Sequence, residues 1–135
     1  MRLLLDTDTC IFALKHHTTV LENLLSQSRE DVAVSVISEA ELRTGAAKSS
    51  APTKMLHLVD NFLRPLTIVD YTSADAASYA QVRAKLERAG TPIGPLDTLI
   101  AAQALGRKLT LVTNNQPEFA RVLGLRLENW TKPAR

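Results

Sequence analysis

Four short apolar runs limit what this chain can become. They are "RLLL" (2–5), "VAVSVI" (32–37), "LTIVDY" (66–71) and "LTLVT" (109–113), and each is followed by a stretch with helical spacing or a helix start signal. Runs this short and rich in β-branched residues read as buried strands. Strands that alternate with helices imply right-handed crossovers, which give a parallel sheet covered by helices on both faces. The expected fold is therefore α/β, with a central parallel sheet in one domain spanning residues 1–135.

The helices between the strands can be placed from spacing and end signals. Ile11, Leu14, Leu21, Leu24 and Leu25 share a face over residues 9–28. Ser38 is placed to cap a helix that runs to about Lys48, and another spans 52–63. "SADAASYAQVRAKLERAG" opens on a cap-like Ser73 and stops at Gly90. A helix from Asp97 to about Leu105 and a short one from Pro117 complete the set, with "LRLENW" (125–130) as an edge strand.

Ligands of such sheets bind beyond the carboxyl ends of the strands, and there the chemistry-bearing residues recur. Asp6 ends the first strand, and Glu41 lies in the first turn of the helix expected after the second. Thr113, Asn114 and Asn115 follow "LTLVT", with Glu118 one turn on, and Asp97 opens a helix able to reach the same rim. Carboxylates crowded together raise one another's pKa unless a cation compensates. Mg²⁺, with Mn²⁺ as a substitute, takes oxygen ligands of this kind, and the ion can activate water and steady a phosphoryl oxygen. His16, His17 and His57 have no zinc spacing, and Cys10 stands alone.

Each acid also has a purely structural reading. "SEAE" makes Glu41 the partner of Ser38 in a capping box. Asp97 and Glu118 fit the first turn of a helix, where a negative charge meets the positive end of the dipole. No helix start obliges Asp6 directly, while Asp8 and Glu39 read as surface or outer groups. "LLLDTD" leaves three possibilities open: a phosphoryl-accepting nucleophile as in haloacid-dehalogenase-like phosphatases, a metal ligand, or a polar turn.

Bulk properties narrow the classes. One cysteine excludes an intramolecular disulfide and suits a reducing cytoplasm. Asp6 and Asp8 interrupt the N-terminal apolar stretch, so neither a secretory signal nor a membrane span is expected. With four of the 14 acids drawn into one pocket, ten remain against 16 Lys and Arg on the rest of the surface. A basic surface around an acidic pocket suits a polyanionic substrate.

Four motifs in order carry a resemblance over nearly the whole length. "LLLDTDTCIFALK", "SVISEAELRTGAAKS", "GTPIGPLDTLIAAQA" and "LVTNNQPEFARVLGLRLENW" are similar to those of VapC-type toxin ribonucleases of the PIN-domain family. The resemblance places metal-binding aspartates at Asp6 and Asp97 and the site glutamate at Glu41 rather than Glu39, with Asp8 and Thr113 secondary. The fourth motif often ends Thr-Asn-Asp, whereas Asn115 stands there in this chain, so Glu118 is the residue expected to make up the charge. This implies a Mg²⁺-dependent endoribonuclease, with Asp6 a ligand rather than a nucleophile. It further implies a cytoplasmic homodimer, a VapB-type antitoxin, operator DNA bound through that antitoxin, and an RNA target such as the anticodon region of initiator tRNA. A PIN module that binds RNA or a partner without cutting is the non-enzymatic alternative.

Overall fold

The computed structural model describes residues 1–134. Five parallel strands form one sheet in the order β3-β2-β1-β4-β5, built from β1 (Leu3–Leu5), β2 (Val32–Ser35), β3 (Thr67–Val69), β4 (Thr110–Val112) and β5 (Leu127–Glu128). Seven helices connect them: α1 (Thr7–Leu14), α2 (Thr18–Leu25), α3 (Val36–Lys48), α4 (Pro52–Leu63), α5 (Ser73–Arg88), α6 (Pro95–Gly106) and α7 (Gln116–Phe119). The expected parallel α/β architecture is the one observed.

Successive residues of a strand point to opposite faces, and β1 shows what that does here. Leu3 and Leu5 pack with Val32, Val34 and Val112 under α1 to α4. Leu4 enters the opposite core with Ala33, Leu111, Ile100 and Phe119. Leu4 and Leu5 are wholly buried, each contributing about 2 kcal/mol of transfer free energy. Buried on both faces, the central strand has no room for a polar side chain until its end.

Several boundaries differ from the sequence expectation. α6 opens at Pro95 rather than Asp97, α7 at Gln116 rather than Pro117, and β5 is only Leu127–Glu128. Three further differences change a cap. The helix expected over 9–28 is two helices, because His16 takes a left-handed φ of 61° after α1. His17 then caps α2, its Nδ1 accepting from the Val20 amide at 3.2 Å. β2 ends at Ser35, whose hydroxyl caps α3 by accepting from Ile37 N at 3.1 Å. Ser38 is thus not a cap but a fully buried residue inside the first turn. Likewise Thr72, not Ser73, caps α5, closing a reciprocal box with Asp75. In α3, tertiary packing overrides the strand preference of Val36 and Ile37.

Candidate active site

β1 pairs in register with both neighbours, so Leu5 faces Val34 on one side and Val112 on the other. The residues that follow these strands therefore open onto one rim. Asp6 is the first of them, and it is also the N-cap of α1, its Oδ1 accepting from Thr9 N at 2.8 Å. This second duty was not expected, since the spacing places no helix start directly after Asp6. Asp6 is buried, and burial raises its pKa more than its polar contacts with Thr113 and Thr9 lower it, with Asp8 adding repulsion. Thr113 is held in turn, accepting from Asn115 N at 2.9 Å.

Glu41 sits in the second turn of α3, because the helix starts at Val36. A capping box with Ser38 is therefore ruled out. Its Oε1 accepts instead from the Thr7 hydroxyl at 2.7 Å, and Thr7 Oγ1 lies 2.9 Å from the buried Ser38 hydroxyl. A hydroxyl has one proton to give. With Thr7 donating to the carboxylate, Ser38 donates to Thr7, and a two-hydroxyl relay fixes Glu41. Glu39 faces away, bound by Arg43 at 2.9 Å, which also holds Asp60 at 3.0 Å.

Asp97 is the third residue of α6, half-buried behind the N-cap Gly94. Its pKa is pushed up to about 6 by burial, then by Glu118, Asp6, Glu41 and Asp8. Four acids carried by α1, α3 and α7 thus bear on Asp97, although Asp8 itself is exposed. Asn115 and Glu118 are neighbours, as their spacing predicts, with Asn115 Nδ2 donating to Glu118 Oε2 at 2.6 Å. Thr7, Ser38 and Thr9 were missed by sequence reasoning. Only their position around Asp6 and before Glu41 could have signalled them.

A hard cation suits this all-oxygen donor set and the repulsion recorded at Asp97. Among the described residues, no three His, Cys, Asp or Glu side chains stand close enough together to hold an ion by themselves. The fit is to Mg²⁺ or Mn²⁺ held through one or two carboxylates with water retained, not to a closed cage. Cys10, fully buried beneath the rim, is kept as a neutral thiol by burial and by the charges of Asp6 and Glu41.

The PIN domain family model matches residues 3–124, a span that contains each of these acids. This chain belongs to the PIN-domain family. A PIN-domain relative from Salmonella typhimurium, named tRNA(fMet)-specific endonuclease VapC, is 40% identical over 130 residues, covering 96% of this chain and 98% of its own. Ribonuclease VapC2 of Rickettsia felis is 40% identical over 131 residues, covering 96% and 98%. Among solved structures, DNA-bound VapBC from Salmonella typhimurium aligns with a TM-score of 0.90 at 42% identity, covering 96% of this PIN domain and 98% of that chain. VapC-type proteins are thus its family at the level of sequence as well as fold. No helix among the described residues is long and apolar enough to cross a membrane.

Proposed function

We propose that this chain is the toxin of a type II toxin–antitoxin pair, a metal-dependent endoribonuclease. One observation carries the reading: Asp97 is pushed up to about 6 by burial and then by four other carboxylates, Glu118, Asp6, Glu41 and Asp8, in a PIN domain whose relatives are named ribonucleases. A half-buried carboxyl crowded by other acids at a sheet's carboxyl edge is a functional arrangement rather than a stabilising one. The phosphatase alternative for Asp6 has no counterpart among these relatives.

Asp6 and Asp97 would hold Mg²⁺, or Mn²⁺ in its place, with Glu118 and Asn115 beside them. When bound, the ion lowers the pKa of water and neutralises charge on the phosphoryl oxygens. Glu41, aligned by Thr7, orients the attacking water. Thr113 holds Asp6 in place, and the apolar β1 behind it excludes bulk solvent. A single-stranded RNA segment is the substrate class, and the anticodon region of initiator tRNA is the target supported by the name of the Salmonella relative. A VapB-type antitoxin is the partner, with operator DNA bound through it, as the DNA-bound complexes from Salmonella typhimurium and Rickettsia felis suggest for their own chains. The cytoplasmic homodimer follows from the resemblance.

The test is cleavage of total RNA by the purified chain, with new 5′ ends mapped. Cuts that need Mg²⁺ or Mn²⁺, vanish in EDTA and vanish in Asp6→Asn are expected. Cleavage that survives the chelator, once contaminating nuclease is excluded, overturns the metal mechanism. Lack of any cleavage in either metal overturns the enzymatic reading in favour of a binding module.

A further inference from the structure

The rim does not end at Glu118. Thr113 N donates to Glu128 O at 2.8 Å, which sets Asn129, the residue after β5, beside Asn114. Asn129 Oδ1 accepts from the Thr131 amide at 2.9 Å, and the Thr131 hydroxyl, with one proton to give, stands 2.7 Å from Asn129 Oδ1 and 3.1 Å from Asn114 Oδ1. A backbone amide can only donate, so this bond decides which way the Asn129 side chain points. Its Nδ2 must then face the other way, where it donates to Asn114 Oδ1 at 3.2 Å and Gln116 Oε1 at 3.4 Å. Asn129 has thereby used its donors and acceptors on its neighbours.

The consequence falls on Asn114 and Gln116. Their oxygens are turned inward as acceptors, so their amide nitrogens are turned outward. Among the described residues, neither nitrogen donates to anything. Asn114 is exposed and stands between Thr113, which bonds to Asp6, and Asn115, which bonds to Glu118. Two pre-aimed NH₂ groups therefore flank the acidic rim on the side of β5. Asn129 and Thr131, which aim them, lie beyond the span matched by the family model.

We propose that Asn114 and Gln116 form a neutral donor shelf that binds acceptor oxygens of the RNA strand next to the cut, with Asn129 as their positioning residue. The shelf rests on the ribonuclease reading above and deepens it. An acidic rim repels a polyanion, whereas a neutral amide can grip the strand without a cation that would compete for the carboxylates. Amide side chains bind both phosphate oxygens and the edges of splayed bases, so the shared chemistry is an oxygen acceptor on single-stranded RNA.

The experiment compares wild type with Asn114→Ala/Gln116→Ala and Asn129→Ala on an RNA hairpin with a single-stranded loop. Cleavage is read in Mg²⁺ or Mn²⁺, and binding is read on the same hairpin in EDTA, where no cutting is expected. Both variants should raise KM and Kd about tenfold, the value of two neutral hydrogen bonds, with kcat within about twofold. Equal weakening for every loop sequence assigns the acceptors to phosphates, and weakening confined to one loop base assigns them to that nucleobase. Unchanged KM and Kd in the exposed double variant overturn the shelf even if Asn129→Ala unfolds. So does weakened binding of a VapB-type antitoxin with RNA binding intact. If wild type cuts no RNA, the ribonuclease reading fails, while hairpin binding in EDTA still decides the shelf.

Discussion

Asp75 and Asp97 hold the same position, the third residue of two helices that pack against each other. Their electrostatics are opposite. Asp75 is almost wholly buried, yet its pKa lies far below the usual carboxylate range, first because Arg107 bonds to it. The Arg107 fork donates at 3.0 and 2.9 Å, Gln103 Nε2 donates at 3.1 Å and the Thr72 amide at 2.9 Å. Asp97 has Gly94 as its N-cap in place of a threonine, and its principal influences are burial and four other carboxylates. A helix N-terminus therefore does not decide what an acid is for. The neighbours it meets across the fold decide it.

The largest expected effect tests the functional side of this contrast. Asp97→Asn should lower RNA cleavage about a thousandfold, the scale of losing one preorganised catalytic charge, while Asp75→Asn leaves kcat close to wild type. Comparable activity in the two variants would erase the distinction. Stability should run the other way. Asp75→Asn leaves Arg107 without its anion and should cost about 3 kcal/mol in urea denaturation. Asp97→Asn, by relieving repulsion in the metal-free chain, should add about 1 kcal/mol above pH 7, after allowance for its partial exposure.

Next in size is a pH dependence with opposite signs at the two sites. Asp97 titrates near 6 in the folded chain against an ordinary 3.8, so the native state holds its proton more tightly. Its contribution to metal-free stability is present below about pH 4 and is lost as pH rises through about 6. Asp75 is depressed, so its contribution is present at neutral pH and is lost as pH falls below its ordinary range. Mg²⁺ or Mn²⁺ must displace the Asp97 proton, so affinity should fall about tenfold per pH unit below 6. Calorimetric titration at several pH values checks this, and Asp97→Asn should flatten the dependence.

The smallest effect concerns how the rim is held. Thr7→Val keeps the shape of the side chain and removes the donor to Glu41, so it should lower kcat about tenfold to a hundredfold. Glu39→Gln, which touches only the Arg43 pair at the surface, should change kcat by less than about twofold. A larger loss in Glu39→Gln than in Thr7→Val would move the second functional acid from Glu41 to Glu39.

The sequence made one side of the comparison legible and hid the other. Asp6, Glu41, Asp97 and Glu118 could be brought together because each follows a strand or lies within the first two turns of a helix, and a parallel sheet gathers those positions at one edge. Helix starts were less readable. Ser35 and Ser38 can both cap, as can Thr72 and Ser73, and the choice depended on where each strand stopped. The Asp75–Arg107 pair joins residues 32 apart, and the Thr7–Glu41 bond joins residues 34 apart. Such partners are chosen by packing, which no local pattern encodes. Asp6 was half-read, as an acid at a strand end but not as the cap of the helix after it.

Gly106, at the far end of α6 from Asp97, has one further consequence. A Cβ built on it would stand 2.3 Å from the Ser78 Oγ and 3.1 Å from the Ser78 Cβ on α5. The hydroxyl could swing aside, but the carbon beneath it could not retreat without moving its helix. With twelve residues, α6 is a rod about 18 Å long, clamped at one end by that close approach and by Arg107. In mechanical terms it is a wedged rod, pressed against α5 at the Gly106 end and carrying the Asp97 carboxylate at the other. A single methyl group added at Gly106 would therefore drive a wedge between α6 and α5, at the end remote from the acids.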